Sequence, residues 1–380
     1  MRAAAFLTAA LMLFTAVSCG SAPVVSSGTG TVMTKTGSME LEYADQFSVD
    51  YLDSGCSLIT IGEDRFLLVP EGQAVPENTE NAAVIRQPVE NIYLAASSAM
   101  DLFSGLDELD KVKMTSTDLK SWTLPEVQTA LETGSMEYIG KYSAPDYERL
   151  VAEDCGIAIE STMIYHSPQV REKLESLGIP VIVERSSYEA HPLGRMEWIK
   201  LYGLLLGEAE AAQTFFDEKT SGFSRLDISD IPEDERKTAA FFYISSNGYV
   251  NIRKPGDYVS QMIALAGGRY IFTADELDVD DNALSTMNIQ LEAFYDIARD
   301  ADFLIYNSTI EGELDSVEQL IEKSGIFEDF KAVREGNVWC TGQNMFQQTT
   351  GAADMITDLS LIFSGEAEDT EQLTFLHRLS

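Results

Sequence analysis

The chain has 380 residues, of which 45% are hydrophobic and 23% charged, the proportions of a globular protein with room for two domains of ordinary size. Its formal net charge is −36, since 62 acidic residues face only 26 basic ones. Nucleic-acid phosphates favour a basic surface, so this composition excludes nucleic acid as an expected partner. An acidic surface keeps a protein soluble and favours a monomer.

The N-terminus predicts export and a lipid anchor. A single basic residue precedes the apolar run Ala3–Val17, which is short for a bilayer-spanning helix and ends in small residues. We therefore interpret residues 1–18 as a signal peptide. The sequence Ala16-Val17-Ser18-Cys19 resembles the lipobox of bacterial lipoproteins, which implies acylation of Cys19. Residues 19–38 are expected to be a flexible tether that holds the protein at the outer face of the cytoplasmic membrane, or in the periplasm.

Residues 39–191 have the pattern of an α/β lobe. Short alternating runs up to residue 70 predict an antiparallel hairpin or meander. Buried strands are then predicted at Asn91–Ser98, Gly156–Glu160 and Ile179–Glu184, with helices between them. Strand, helix and strand joined by short connections predict a parallel sheet.

Residues 192–222 predict one uninterrupted helix. Apolar residues recur at helical spacing from Trp198 to Phe216, Pro192 suits a first turn, and Gly222 suits a left-handed C-cap. Such a helix would be a rod on the order of 40 Å long. We expect it to join two lobes, with the functional cleft between them.

The same α/β pattern restarts after this helix. Thr238–Ser245 and Ala301–Tyr306 predict buried strands, and residues 223–364 are assigned to a second lobe. Residues 365–380 are expected to be an acidic linker and tail. The predicted fold class is therefore α/β, with two lobes of mainly parallel sheet joined by one long α-helix.

The chemistry of the chain favours binding over catalysis. The sequence contains no phosphate-binding P-loop, His-Glu-x-x-His or Gly-x-Ser-x-Gly motif, and its histidines number only three. The cysteines of the mature chain are scattered and odd in number, which argues against a disulfide framework or a zinc ribbon. We expect no cofactor and no catalytic residue. A two-histidine site for Zn or Mn, from His166 and His191, stays as an alternative.

Several segments, in their order along the chain, resemble bacterial ABC-transporter substrate-binding lipoproteins of the iron-complex type, which deliver ferric siderophores, haem or cobalamin. The matching segments are Asn91–Phe103 (NIYLAASSAMDLF), Lys141–Glu160 (KYSAPDYERLVAEDCGIAIE), Lys173–Val183 (KLESLGIPVIV), Tyr258–Gly268 (YVSQMIALAGG) and Ala301–Tyr306 (ADFLIY). The resemblance implies a fold like that of the class III periplasmic binding proteins. It also implies that Glu148 and Glu292, one in each lobe, dock on arginines of the membrane permease.

The ligand is expected beyond the strand ends, where the two lobes face each other. The candidate contacts are Trp122, Tyr142, Tyr165, Arg185, Tyr188, His191 and Arg195 in the first lobe and Tyr249, Arg253 and Trp339 in the second. Guanidinium groups bind the anionic oxygens of ferric siderophores or haem, and aromatic faces contact flat chelate rings. As an alternative, Arg195 braces the start of the long helix and Tyr258 packs under its own helix.

These patterns predict a solute receptor that binds an iron complex and passes it to an ABC permease and its ATPase. An exported enzyme or metal chelatase on the same two-lobe scaffold is the rival hypothesis, since a fold does not determine a function.

Overall fold

The computed structural model describes residues 33–79, 81–221, 231–282, 285–367 and 373–380. The predicted signal peptide, Cys19 and most of the predicted tether lie outside these residues, so the assignments made to them stay predictions. None of the helices within the described ranges has both the length and the apolar composition needed to cross a bilayer.

An N-terminal sheet precedes the first lobe and has the strand order β1-β2-β3-β4-β5. Its strands are β1 (Lys35–Ser38), β2 (Phe47–Leu52), β3 (Ser57–Ile61), β4 (Asp64–Val69) and β5 (Ala83–Arg86). The first four are antiparallel, which confirms the predicted meander, and β5 runs parallel to β4. Because β1 pairs with β2, the last residues of the predicted tether belong to the folded body, and the boundary at residue 38 is corrected.

The first lobe contains a parallel sheet with the order β10-β9-β6-β7-β8. Its strands are β6 (Ile92–Leu94), β7 (Val112–Thr115), β8 (Glu137–Tyr138), β9 (Ile157–Ser161) and β10 (Val181–Glu184), and its helices are α1 (Met100–Gly105), α2 (Pro125–Thr133), α3 (Tyr147–Ala152) and α4 (Pro168–Ser176). Buried apolar residues on both faces of β9 account for its continuous apolar sequence, as expected of a parallel sheet covered on both sides.

The helical region between the lobes differs from the prediction. It consists of α5 (Pro192–Glu197), α6 (Ile199–Leu206) and α7 (Ala209–Ser221) instead of a single rod. Gly207, with φ of 89°, ends α6 in a left-handed conformation that favours glycine. A Cβ on Gly203 would collide with Ala212, although nine residues of continuous helix would separate the two by about 13 Å. The chain therefore changes direction at Gly207, and the apolar period alone could not reveal it.

The second lobe contains a mixed sheet with the order β14-β12-β11-β15-β16-β17, and a further strand, β13, pairs with β11. The strands are β11 (Thr238–Ile244), β12 (Val250–Arg253), β13 (Arg269–Tyr270), β14 (Thr286–Ile289), β15 (Phe303–Tyr306), β16 (Val338–Thr341) and β17 (Leu376–Arg378). The helices are α8 (Tyr258–Leu265), α9 (Ala274–Leu277), α10 (Leu291–Ala298), α11 (Ser308–Glu311), α12 (Val317–Lys323), α13 (Lys331–Glu335) and α14 (Ala352–Ser364). Strands β11, β15 and β16 are parallel, as predicted.

The C-terminal residues correct a second assignment. Strand β17 pairs antiparallel with β16, and the side chains of Phe375, Leu376 and Leu379 are buried. Residues 373–380 thus belong to the second lobe and do not form a surface tail. The acidic residues before them favoured a tail, but the apolar residues within 373–380 form an edge strand of the sheet. Part of the predicted acidic linker, residues 368–372, lies outside the described residues.

Candidate functional site

The carboxyl edges of the two main sheets face each other. Beyond β16, the side chain of Gln347 accepts hydrogen bonds from the backbone N–H and the hydroxyl of Thr123 at 2.8 and 2.7 Å, and donates one to the carbonyl of Ser121 at 2.7 Å. Thr349 donates to the carbonyl of Ser98, beyond β6, at 2.7 Å. These loops all follow parallel strands, so the lobes meet where open α/β sheets bind ligands. The side chain of Gln347 is thus engaged with the opposite lobe.

Exposed aromatic and aliphatic side chains occur in the loops at the carboxyl edges of the two sheets. Met163 and Tyr165 follow β9, Tyr188 follows β10, Tyr249 lies in the turn after β11, and Ile310 lies in α11 after β15; all five are exposed. Aromatic faces at the mouth of a cleft suit flat ligands. The structure brings Tyr165 and Tyr188 together beside one guanidinium. The ligand contacts of Tyr165, Tyr188 and Tyr249 stay predictions, now with a place in the cleft.

Arg185 carries that guanidinium and is half-buried at the end of β10. Its Nε and Nη2 donate to Oε1 of Gln46 at 3.3 and 3.2 Å. Its Nη1 donates to the hydroxyl of Tyr165 at 3.5 Å, and its guanidinium carbon lies 5.0 Å from the ring centroid of Tyr188. Throughout the described ranges, no carboxylate forms an ion pair with Arg185. Its charge is therefore available to an anionic oxygen of a ligand.

Arg195 and Arg253 lie beneath the cleft and contact a common ring. Their guanidinium carbons are 4.0 and 5.5 Å from the ring centroid of Tyr258. Arg253 forms an ion pair with Asp257 at 3.5 Å, and Arg195 is only 8% exposed. Arg195 thus packs α5 against α8, and Arg253 packs β12 against the same helix, while their assignment to ligand binding stays a prediction. Arg195 and Tyr258 have the packing roles that the sequence offered as alternatives.

Burial raises the pKa of the two carboxyl groups beneath the cleft. For Glu184, hydrogen bonds from Ser186 and the charge of Arg195 act against this rise in pKa. For Asp257, the charge of Arg253 does the same. The carboxylates and the guanidinium groups thus compensate each other inside the protein.

His191 has a structural role at the start of α5. Its Nδ1 accepts a hydrogen bond from the backbone N–H of Leu193 at 3.2 Å, which caps the helix, and its ring stacks on Tyr43 at 4.5 Å between centroids. Burial lowers the pKa of His191, against the raising effect of Glu197. The assignment of His191 to ligand binding is corrected, because capping and stacking occupy the ring.

Both tryptophans assigned to the site are core residues. Trp122 is 2% exposed and donates its indole N–H to the carbonyl of Thr117 at 3.1 Å, and Trp339 is 5% exposed within β16. Tyr142 is partly buried against the core of the first lobe. An isolated sequence could not separate these rings from cleft rings, because core and ligand-contact aromatics obey the same apolar pattern.

Glu148 and Glu292 occupy equivalent positions in two helices. Each is exposed and lies in the first turn of its helix, α3 for Glu148 and α10 for Glu292. An acid there is stabilised by the helix dipole and stays accessible to a partner. Their role in docking stays a prediction. Among the described residues, no group of three or more His, Cys, Asp or Glu side chains is arranged to hold a metal ion.

Two buried acids that sequence reasoning missed hold an N-terminal segment against α5. The N–H groups of Glu42, Tyr43 and Ala44 donate to the carboxylate of Glu197 at 2.8–3.1 Å. Those of Asp45 and Gln46 donate to the carboxylate of Glu189 at 2.9 and 3.1 Å. We call residues 42–46 the strap. The sequence contained one indication of this buried contact, because Glu197 is an acidic residue next to Trp198 within the apolar pattern.

The two-lobe α/β architecture and its interlobe cleft define a solute-binding protein. The model of the family described as "Periplasmic binding protein" matches residues 93–345, more than half of the chain, and the protein belongs to this family. The N-terminal sheet and the strap lie before the matched residues.

Similar proteins include an uncharacterized lipoprotein of Methanocaldococcus jannaschii, which is 25% identical over 321 residues, covering 80% of this chain and 73% of the relative. A periplasmic binding protein from Veillonella parvula superposes with a TM-score of 0.60 at 16% identity, covering 84% of this chain and 98% of that one. A periplasmic heme binding protein from Pseudomonas aeruginosa gives a TM-score of 0.59 at 16% identity, covering 77% and 99%. At these identities the two structures support the fold alone, and they agree with the fold class predicted from the sequence.

Proposed function

We propose that this protein is the extracytoplasmic solute-binding component of an ABC importer and that its solute is an iron complex, a ferric siderophore or a haem-like ligand. The observation that carries the proposal is the cleft wall formed by Arg185, Tyr165 and Tyr188, in a member of the periplasmic binding protein family. A guanidinium beside two exposed phenol rings suits a flat complex with anionic oxygens. The heme binding of the Pseudomonas aeruginosa neighbour supports the same class of solute.

Delivery would require a membrane location and a permease contact. Cys19 would carry the lipid, as the lipoprotein name of the Methanocaldococcus jannaschii relative supports, and residues before the N-terminal sheet would act as the tether. Glu148 and Glu292 would register the loaded protein on arginines of the permease. The protein would work as a monomer with the permease and its ATPase as partners.

Isothermal titration calorimetry tests the proposal with purified protein and a panel of haemin, ferric hydroxamate, ferric catecholate and cobalamin. We expect saturable, one-to-one binding of at least one ferric complex and no turnover of it. Calorimetry gives both the affinity and the stoichiometry for each complex of the panel. Binding of no ferric complex would overturn the proposal, and turnover of one would favour the enzyme hypothesis.

A further inference from the structure

We propose that Gln46 of the strap is the positioning residue that orients Arg185 for an anionic group of the ligand. The proposal deepens the proposed function and rests on it for the identity of the ligand. Gln46 lies outside the residues matched by the family model, 139 positions from Arg185. The N-terminal sheet thereby contributes to the cleft as well as to the folded body.

The geometry fixes which end of the Gln46 amide faces Arg185. The Nε2 of Gln46 donates to Oδ1 of Asp45 at 2.6 Å, so Oε1 is the end turned toward the guanidinium. Nε and Nη2 of Arg185 both donate to this Oε1. One edge of the planar guanidinium is thus occupied, and Nη1 is left beside the hydroxyl of Tyr165.

The strap holds Gln46 in place. Its backbone N–H donates to Glu189, whose carboxylate also accepts the indole N–H of Trp198 at 2.8 Å. Burial raises the pKa of Glu189 to about 7, although these hydrogen bonds act against the rise. On the other side, the turn between β3 and β4 lies near Arg185, since a Cβ added to Gly62 would be 3.8 Å from its Nη1. Two parts of the N-terminal region thus flank the guanidinium.

The chemical nature of the partner decides what Arg185 can bind. A carboxylate in place of the amide would neutralise the guanidinium, as Asp257 does for Arg253. The neutral amide of Gln46 accepts the same hydrogen bonds without a direct ion pair, and it stands between the guanidinium and the carboxylate of Asp45. In a chain with 62 acidic residues, an amide at this position keeps the cleft attractive to anions.

The test compares Gln46→Met, Gln46→Glu, Arg185→Ala and the double variant Gln46→Met/Arg185→Ala in the full-length protein, with citrate as an iron-free anionic probe. The affinity for citrate is obtained from the rise in melting temperature with millimolar citrate. We expect Gln46→Glu and Gln46→Met to weaken citrate binding about tenfold, the value of one charge-assisted hydrogen bond. The double variant should bind citrate no more weakly than Arg185→Ala, because Gln46 acts through Arg185.

A second readout needs no ligand. In the nitrogen-15 spectrum of arginine side chains, the Nε–H signal of Arg185 should exchange slowly in the wild type and broaden in Gln46→Met. In Gln46→Glu we expect this signal to be retained while citrate affinity is lost. That result would show that the charge at position 46 affects binding even when the orientation of Arg185 is kept.

Unchanged citrate affinity in Gln46→Glu, an additive loss in the double variant, or no citrate binding by the wild type would overturn the inference. Citrate binding that follows these variants while no iron complex binds would instead contradict the proposed function and leave the positioning role intact.

Discussion

Arginines near the cleft have opposite environments in the two lobes. In the first lobe, Arg185 is half-buried, touches two exposed phenol rings, and is held by an amide. In the second lobe, Arg253 is largely buried and is paired with Asp257. The charge of the partner and the exposure of the side chain decide whether a guanidinium near a cleft keeps its charge available or stabilises the lobe, and the residue type alone does not reveal which.

The largest expected effect is on the stability of the second lobe. Asp257→Ala would leave Arg253 buried without its carboxylate and remove the cap of α8, so the free energy of unfolding should fall by about 3–5 kcal/mol. Urea unfolding followed by circular dichroism measures it. Asp300→Ala is the matched control, since its pair with Arg299 is exposed and should be worth about 0–1 kcal/mol. Equal losses of unfolding free energy in the two variants would show that the Arg253–Asp257 pair stabilises the lobe no more than an exposed pair does.

In the first lobe, replacing Arg185 is expected to affect ligand binding more than stability. Arg185→Ala should weaken binding of the ferric complex about tenfold or more, as loss of a charge-assisted contact does, and lower the free energy of unfolding by about 1–2 kcal/mol, less than Asp257→Ala does. Calorimetry and urea unfolding measure the two quantities, with Arg299→Ala as the control far from the cleft. A large loss of stability with unchanged affinity would make Arg185 equivalent to Arg253.

Buried acidic residues in the two lobes also differ in whether they have a partner. Asp257 has a guanidinium partner, whereas neither carboxylate oxygen of Glu160 in β9 has a hydrogen-bond partner within the described part of the chain. Burial raises the pKa of Glu160 from 4.5 to about 8, so between these values the folded protein retains a proton that the unfolded chain has lost. The stability contribution of Glu160 should therefore fall as pH rises through this window.

Glu160→Gln removes that titration. We expect the loss of unfolding free energy between about pH 5 and pH 8 to shrink by about 2–4 kcal/mol, measured by urea unfolding at several pH values. Glu148→Gln, which changes an exposed acid of the same lobe, is the matched control variant. An identical pH profile for wild type and Glu160→Gln would show that Glu160 is ionised inside the lobe.

The smallest expected effect on the isolated protein concerns the predicted docking acids. Glu148→Ala and Glu292→Ala should leave ligand affinity within about twofold, because both side chains are exposed on helices outside the cleft wall. In cells, each should reduce uptake of the labelled complex. Normal uptake by both variants would contradict the docking assignment.

The fold was largely readable from the sequence, because buried parallel strands such as Ile157–Ser161 and Phe303–Tyr306 are short apolar runs between helical segments. The change of direction at Gly207 was not readable, since a glycine within an apolar helical period is compatible with either a helix or its end. Strand β17 was missed because its pairing with β16 depends on residues far apart in the chain.

The site was less readable than the fold. The sequence proposed Arg185, Tyr165 and Tyr188 for the site, but it could not separate these accessible side chains from the largely buried Arg195, Arg253 and Trp122, because residue type does not encode burial. The contact between Gln46 and Arg185 could not be predicted from the sequence, because it joins residues 139 positions apart. The pairing of β17 with β16 was missed for the same reason.

Anomalous diffraction at the iron edge, from crystals grown with the tightest-binding ferric complex, tests the central claim most directly. We expect one iron peak in the interlobe cleft, with an anionic oxygen of the complex at hydrogen-bond distance from Nη1 of Arg185 and a ring of Tyr165 or Tyr188 against the ligand. An iron peak outside the cleft, or a complex in the cleft that makes no contact with Arg185, would contradict it.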